Sequence, residues 1–292
     1  MDDFTEVGYT VGDRIATITL NRPEARNGYT VTMADELLAA FDRADGDEEV
    51  RVVVFTGAGD HFCVGADLSG GGFDVSEKGV LPTDWQEPAG RASKRIFAMN
   101  KPVIAALRGA AVGAGSTIVL SCDYRIASTD SRFGFVFSRR GIYPEGGSTW
   151  YLPRLVGLGT ALDWMISGRV FGAEEALSAG LVRELHAPEE VLPAAYALAR
   201  ELVRTTAPVA TAVIRQMLYH LSALDSPLPA HAVDSRLIAG LLSNPDAAEG
   251  VRSFFEKRPP DFPGTVSDDL PPWLPWTDST TLVPPGADSS PS

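Results

Sequence analysis

The stretch RGAAVGAGSTIVLSCDYRIAS, residues 108–128, links two apolar segments through a turn rich in glycine and alanine. We predict one strand over residues 103–107, before the turn, and another over 124–127, after it. Gly113 and Gly115 let the backbone approach a ligand closely because glycine has no Cβ. Where such a turn opens into a helix, the first N–H groups lack intrahelical partners and suit negative charge. The stretch therefore predicts either a site for a phosphate or a reaction oxyanion, or a turn that serves packing alone.

Strands and helices alternate through the first half of the chain, and helices dominate the second half. Residues 50–55 form a valine-rich run, which is typical of a strand covered on both faces. Thr32 is the predicted N-cap of a helix that ends near Ala44. Pro144 fits the first position of another helix, which would place Glu145 in its first turn. This order predicts an α/β (α+β) core followed by a helical C-terminal region.

Two segments lack a regular pattern. Residues 69–90 contain consecutive glycines and scattered prolines, which predict a long loop of the kind that forms a lid, a binding loop or a disordered segment. Residues 264–292 carry six prolines, four aspartates and no lysine or arginine. This composition predicts a Pro-rich, acidic, disordered tail, although Trp273, Leu274 and Trp276 could dock against the rest of the chain.

The composition restricts the classes of partner. The chain has 292 residues, of which 45% are hydrophobic, and a formal net charge of −13. Nucleic acids and anionic membranes bind through clustered lysine and arginine, so we expect neither as a partner. The two cysteines, Cys63 and Cys122, do not make a disulfide framework and indicate a reduced, cytoplasmic setting. The N-terminus resembles no signal peptide, and no apolar run is long enough for a membrane span.

Five motifs occur in order along the chain. They are ITLNRPEARNGYT (18–30), DHFCVGADLS (60–69), GAAVGAGSTIVLSCDYRIAS (109–128), GIYPEGGSTWYLPRLVG (141–157) and FFEKRPPDF (254–262). Together they resemble the successive signatures of the crotonase family, the enoyl-CoA hydratase/isomerase superfamily. The resemblance is collinear from about residue 5 to residue 262.

The resemblance implies a fold and an assembly. The expected fold is a crotonase-like spiral of ββα units over residues 1–200, followed by a C-terminal helical trimerisation region over residues 201–263 and the tail over 264–292. The expected assembly is a homotrimer or a dimer of trimers. The implied substrate is an acyl-CoA thioester of fatty acid or other lipid metabolism, with no separate cofactor.

The resemblance also implies how the thioester is bound. Its carbonyl oxygen would lie between the backbone N–H groups of Ala66 and Ala114, which would form an oxyanion hole. Two fixed donors stabilise the negative charge of an enolate as it forms. The positions that match CoA- or substrate-binding residues of the family are Ala25, Arg26, Ala66, Asp67, Leu68, Gly113, Phe254 and Lys257. Asp67 has two further interpretations, as a brace for the oxyanion loop or as a helix cap.

The catalytic carboxylates depart from the hydratase pattern. Two glutamates hold the attacking water in the hydratases, and Thr117 and Phe137 occupy their positions here. Neither side chain ionises near neutral pH. Glu145 instead follows Pro144 in a PEGG motif that looks like that of the peroxisomal-type Δ3,Δ2-enoyl-CoA isomerases. One carboxylate suffices to move a proton from C2 to C4 of an enoyl thioester, so the sequence favours an isomerase with Glu145 as its catalytic residue.

Other interpretations remain open. Glu145 with a water molecule could support hydration, hydrolysis or carbon–carbon cleavage, and a crotonase homologue can also bind acyl-CoA without turnover. Glu145 could equally be a carboxylate that is favourable at a helix start and does nothing more. Cys63 is interpreted as a packing residue. Histidines and cysteines at metal-ligand spacing are lacking, so no metal site is expected. The sequence offers no role for Arg139 and Arg140.

Overall fold

The computed structural model describes residues 4–67, 69, 85–241 and 244–276. The chain divides into two compact units, Met1–Val203 and Arg204–Ser292. Within the described ranges, no helix combines the length and the apolar character that crossing a membrane requires.

The described part of the first unit contains two β-sheets. Their strands are β1 (Val7–Gly12), β2 (Ile15–Leu20), β3 (Val52–Gly57), β4 (Val103–Leu107), β5 (Ala110–Val112), β6 (Tyr124–Ser128), β7 (Arg132–Gly134), β8 (Val170–Gly172) and β9 (Glu184–His186). The larger sheet has the order β1-β2-β3-β4-β6-β9, and the smaller one has the order β5-β7-β8.

Seven α-helices lie in the described part of the first unit, between or after these strands. They are α1 (Val31–Gly46), α2 (Pro88–Ala98), α3 (Ala114–Ile118), α4 (Ser148–Val156), α5 (Leu158–Ser167), α6 (Ala173–Ser178) and α7 (Val191–Thr205). The boundary between the two units falls in the last turn of α7.

The glycine-rich turn forms part of a crossover between two parallel strands. β4 and β6 pair directly, with Ile104 opposite Tyr124 and Ala106 opposite Ile126. Parallel neighbours cannot be joined by a tight hairpin, so the chain must leave the sheet between them. It does so through the turn, β5 and α3. The crossover places the turn just beyond the carboxyl end of β4.

Both faces of the larger sheet are buried. Val54 belongs to one apolar cluster with Ala195 and Ala199 of α7. Its neighbour Phe55 contacts Phe41 of α1 edge to face, with 5.5 Å between the ring centroids. Successive strand residues point to opposite faces, which explains why the run over residues 50–55 is apolar at nearly every position. The predicted α/β core is confirmed.

The smaller sheet connects the glycine-rich turn to the segment that carries Glu145. β5 pairs in parallel with β7, and the Gly113 N–H donates a hydrogen bond of 2.9 Å to the Gly134 carbonyl oxygen. The chain continues from β7 through residues 135–147 to α4. Glu145 is therefore held on the same local framework as the turn.

The second unit is helical over its described residues. Its helices are α8 (Pro208–Leu221), α9 (Leu228–Gly240), α10 (Pro245–Glu256) and α11 (Val266–Asp269). Val209, Val213, Val233 and Leu274 form its buried cluster. A helical C-terminal region agrees with the sequence-based prediction.

Residues 264–276 correct the prediction that the tail is disordered from residue 264 onward. They include α11, and Leu274 is only 2% exposed. Trp273 and Trp276 pack against the same cluster of the second unit. These are the three side chains that the sequence analysis named as able to dock, and their burial outweighs the composition of prolines and aspartates. Residues 277–292 lie outside the described ranges.

The first turn of α1 differs from its prediction. Thr30, rather than Thr32, is the N-cap, and its Oγ1 accepts a 2.9 Å hydrogen bond from the Met33 N–H. Either threonine can cap a helix, so residue type alone could not distinguish them.

The start of α4 also differs from its prediction. α4 begins at Ser148, so Pro144 and Glu145 precede the helix instead of opening it. Gly146 and Gly147 have φ values of +63° and +67°, which are incompatible with a right-handed helix. The interpretation of Glu145 as a carboxylate in the first helical turn is therefore wrong.

Candidate active site

Two backbone segments run side by side at the carboxyl end of β4. The N–H groups of Phe62 and Cys63 donate to the carbonyl oxygens of Arg108 and Ala110, at 2.8 and 2.9 Å. The Val112 N–H returns a 2.9 Å bond to the Cys63 carbonyl oxygen. This ladder fixes the loop that contains Ala66 against the glycine-rich turn that contains Ala114.

The two loops approach each other so closely that side chains would not fit. A Cβ on Gly115 would lie 2.4 Å from the Cys63 carbonyl oxygen. Gly65, at φ +99°, lies against the backbone of Val112 and Gly113. The small residues of the turn are therefore required for loop packing, and the same packing positions the candidate donors.

Ala66 and Ala114 both have backbone N–H groups without an acceptor among the described residues. The Tyr29 N–H donates to the Gly65 carbonyl oxygen, and the Asp67 N–H donates to the Tyr29 carbonyl oxygen, at 2.8 and 2.9 Å. In this parallel bridge the N–H of the intervening Ala66 points the other way. Ala114 opens α3, where an N–H has no intrahelical acceptor. The shared oxyanion hole stays a prediction that these orientations support.

Asp67 is fixed by contacts within its own neighbourhood. One carboxylate oxygen accepts a 2.8 Å hydrogen bond from the Arg22 guanidinium, and the other accepts the Ser69 N–H at 2.9 Å. The hydrogen bonds with Ser69, and then that with Arg22, lower the pKa of Asp67 to about 2. These contacts support the interpretation of Asp67 as a brace for the oxyanion loop.

The remaining predicted binding residues divide into three groups. Ala25 and the exposed Arg26 lie beside the loop, where the Arg26 carbonyl oxygen accepts the Val64 N–H at 3.3 Å. Leu68 lies outside the described residues. Phe254 and Lys257 belong to the second unit, where both side chains are exposed near the end of α10. Their part in CoA binding stays a prediction.

Asn27 is a positioning residue that the sequence analysis missed. It is fully buried with φ +54°, and its amide nitrogen donates to the carbonyl oxygens of Ala58 and His61 at 2.9 and 2.8 Å. Its amide oxygen accepts the Arg22 N–H. Asparagine followed by glycine is a turn signal that could have drawn attention to it.

Glu145 reaches into the buried space beside α3. The Thr117 hydroxyl donates a 2.5 Å hydrogen bond to Glu145 Oε1. Glu145 Oε2 is buried and has no donor among the described residues, although the residue as a whole is half-buried. Thr117, the residue expected at the position of one hydratase glutamate, thus orients the carboxyl group of another residue.

Burial raises the pKa of Glu145 to about 8. The Thr117 hydrogen bond opposes this effect because it stabilises the ionised form, and the nearby Glu87 carboxyl group adds to it. From the sequence alone, burial could raise the pKa of Glu145 or a helix dipole could lower it. The structure places Glu145 ahead of α4 rather than in its first turn, and burial is the larger effect. The raised pKa suits a group that must both accept and return a proton near neutral pH.

Several alternative reactive groups are unsuitable. Phe137, which the resemblance placed at the position of the second hydratase glutamate, is 3% exposed and has no ionisable group. Burial raises the pKa of the Cys63 thiol to about 12, which supports its interpretation as a packing residue. Arg139 Nε donates to the Ser167 carbonyl oxygen at the end of α5, which gives this arginine a structural contact. Among the described residues, no group of three or more potential metal ligands occurs.

Comparison with known proteins places this site in a family. Residues 10–265 match the enoyl-CoA hydratase/isomerase family. The chain belongs to that family. It is 36% identical to an enoyl-CoA hydratase from Alternaria alternata, over 88% of this chain and 85% of the relative. It is 33% identical to a 1,2-epoxyphenylacetyl-CoA isomerase from Escherichia coli, over 86% of this chain and 95% of that enzyme.

The fold agrees with this assignment. A probable enoyl-CoA hydratase/isomerase from Mycobacterium abscessus superimposes with a TM-score of 0.79 at 33% identity, covering 89% of this chain and 99% of its own. The crotonase-like α/β fold that the motifs predicted is therefore confirmed, and an acyl-CoA substrate is consistent with the family.

Substitution of Gly115 tests whether the two loops need their close approach. Gly115→Ala should lower the unfolding free energy by about 1–3 kcal/mol, because the new methyl group would overlap the Cys63 carbonyl oxygen. Gly159→Ala in α5 is the control, because a Cβ there meets nothing within 4 Å. Urea unfolding at one protein concentration compares the two variants. Equal stabilities would contradict the account of the loops.

The burial of Glu145 leads to a second prediction, which concerns how stability depends on pH. A carboxyl group whose pKa is raised in the folded state favours folding at low pH, and this contribution is lost as pH rises through the interval from about 5 to 8. Glu145→Gln should therefore become more stable than the wild type as pH rises, by at most about 1.4 kcal/mol per pH unit. Thermal unfolding measures the difference, with the exposed Glu174→Gln as control. A difference independent of pH would show that Glu145 is not held in a desolvated site.

Proposed function

We propose that this chain is an enoyl-CoA isomerase that shifts a double bond by proton transfer through Glu145. The single observation that carries the proposal is the buried Glu145 carboxyl group, with one oxygen held by Thr117 and the other without a donor among the described residues. This arrangement leaves one oxygen for a substrate proton. The raised pKa makes the group a strong base for a carboxylate.

The proposed reaction begins with a 3-enoyl-CoA. Ionised Glu145 removes a proton from C2, and the electrons of that C–H bond form a dienolate whose negative charge rests on the thioester oxygen. The N–H groups of Ala66 and Ala114 donate to that oxygen; a single donor of this kind contributes roughly 3 kcal/mol in other enzymes. Protonated Glu145 then gives the proton to C4. The product is the 2-enoyl-CoA, and Glu145 is ionised again.

Phe137 supports isomerisation over two-glutamate hydration. Water addition in the hydratases depends on a pair of glutamates at the positions of Thr117 and Phe137, and the buried phenyl ring cannot orient or activate water. Return of the abstracted proton to the substrate by Glu145 needs no second carboxylate.

Hydration is the second candidate, because several relatives have hydratase names. They include a probable enoyl-CoA hydratase from Rhodobacter capsulatus, 38% identical, and a 2,3-dehydroadipyl-CoA hydratase from Escherichia coli, 34% identical. In that reaction Glu145 would take a proton from water, whose oxygen attacks C3, and would return the proton to C2. The same base and oxyanion hole would serve both reactions.

The homotrimer or dimer of trimers implied by the resemblance also stays a proposal. The second unit exposes several large apolar side chains, which is typical of a surface that packs against another subunit. They are Ile214, Leu218, Leu228, Ile238, Val251, Phe254 and Phe255.

Glu145→Gln tests the proposed base. Its kcat for conversion of a 3-enoyl-CoA to the 2-enoyl-CoA should fall roughly 10²–10⁴-fold, the usual contribution of a positioned acid–base group. Calorimetric affinity for a saturated acyl-CoA should change little, because glutamine has nearly the same shape. Glu174→Gln, in an exposed position, should retain activity.

Two outcomes would overturn the proposed isomerase. Full isomerase activity in Glu145→Gln would show that another group is the base. Brisk hydration of a 2-enoyl-CoA by the wild type, without any double-bond shift, would replace isomerisation with the second candidate.

A further inference from the structure

A second carboxyl group, which the sequence analysis did not single out, lies beside Glu145. Glu87 directly precedes α2, and its Oε1 accepts a 2.8 Å hydrogen bond from the N–H of Gly146. Gly146 is the residue that follows Glu145. The carboxylate of Glu87 therefore holds the backbone of the loop that presents Glu145.

Gly90 provides the space for Glu87. The Glu87 side chain folds back over the first turn of α2, and a Cβ on Gly90 would lie 2.0 Å from Glu87 Oε1. Tyr29 fixes the same corner, since its hydroxyl donates to the Pro88 carbonyl oxygen at 3.1 Å. The half-buried Glu87 carboxylate is thus held in one place by neighbours on both sides.

After burial, the neighbouring Glu87 carboxyl group also raises the pKa of Glu145, through its charge and as a hydrogen-bond acceptor for a proton on Glu145. An ionised carboxylate only accepts hydrogen bonds, so this contact forms only when one of the two groups carries a proton. When both are ionised, their like charges repel. Glu87 therefore favours the state in which Glu145 is protonated.

We propose that Glu87 is a positioning residue that fixes the Glu145 loop and, through its charge, makes Glu145 a stronger base. This inference rests on the proposed function, in which Glu145 is the base. Once Glu145 has taken the C2 proton, ionised Glu87 accepts a hydrogen bond from it and helps to retain that proton for delivery to C4. The proton count is unchanged over the cycle.

Titratable groups near Glu145 other than Glu87 do not account for the proposed pH dependence. Those that face it are Tyr29, whose backbone bridges to Ala66, and Cys63 of the oxyanion loop. Burial raises the pKa of Tyr29 well above its ordinary value and that of Cys63 to about 12, so both stay neutral in an ordinary assay. Arg91 of α2 faces Tyr29 and is paired with Asp35. Of the groups named here, Glu145 is the one whose raised pKa, about 8, brings its change of charge into the neutral range.

The test is the pH profile of kcat/KM for the double-bond shift in Glu87→Gln. Glutamine keeps an oxygen that can accept the Gly146 N–H but removes the charge. In the wild type, kcat/KM should rise with pH as Glu145 ionises. In Glu87→Gln that rise should move to lower pH by about one unit, because the neighbouring negative charge has gone. KM at the plateau should stay within about threefold, since Glu87 acts through Glu145.

A matched pair covers the case in which Glu87→Gln does not fold. The side chains of Glu87→Asp and Glu87→Asn have the same length and differ in charge. The rise of kcat/KM should therefore lie at higher pH in the aspartate variant. Coincident pH profiles for the charged and uncharged variants would overturn the inference. If Glu145→Gln loses activity but the pH profile of kcat/KM in Glu87→Gln matches that of the wild type, the role of Glu87 is refuted and the proposed function stands. Full activity in Glu145→Gln would instead refute the proposed function.

Discussion

Three backbone hydrogen bonds between residues 62–63 and 108–112 are the contacts on which the candidate site depends. They join a loop that follows β3 to the turn that follows β4, two neighbouring parallel strands. Backbone bonds of this kind require side chains small enough to allow close approach, and Gly115 meets that requirement against Cys63. The ladder explains why glycine and alanine dominate the turn. It also joins the loop that contains Ala66 to the turn that contains Ala114, which are distant parts of the sequence.

The chemistry of the site follows from removing one carboxyl group from water. Desolvation disfavours the ionised form of Glu145, and among the described residues the Thr117 hydroxyl alone offsets this cost by donating to it. A base in such a site has a high proton affinity, and in the proposed reaction the N–H groups of Ala66 and Ala114 would stabilise the charge that the proton leaves behind. The two requirements are met by different segments. The crossover supplies Thr117 and Ala114, and the loop ahead of α4 supplies Glu145.

The sequence predicted those features that depend on local pattern. The valine-rich run of β3, the glycine-rich crossover and the helical second half could each be identified from residue type and spacing, and ordered motifs identified the family. Features that depend on contacts across the chain could not be predicted. Glu87 precedes a proline at the edge of an irregular segment, and nothing local indicates that its carboxylate accepts the Gly146 N–H. In residues 264–276 the sequence identified three apolar side chains that could dock, but where they pack depends on the tertiary burial of Leu274.

The most direct test of the central claim is the fate of hydrogen at C2 and C4 when a 3-enoyl-CoA is incubated with the enzyme in D₂O. Proton NMR would follow both positions together with the double bond. The account predicts a 2-enoyl-CoA product from the wild type, with the C2 hydrogen or solvent deuterium appearing at C4. It predicts neither the shift nor exchange at C2 above the uncatalysed rate in Glu145→Gln. Exchange at C2 that survives in Glu145→Gln would contradict the claim that Glu145 moves the proton.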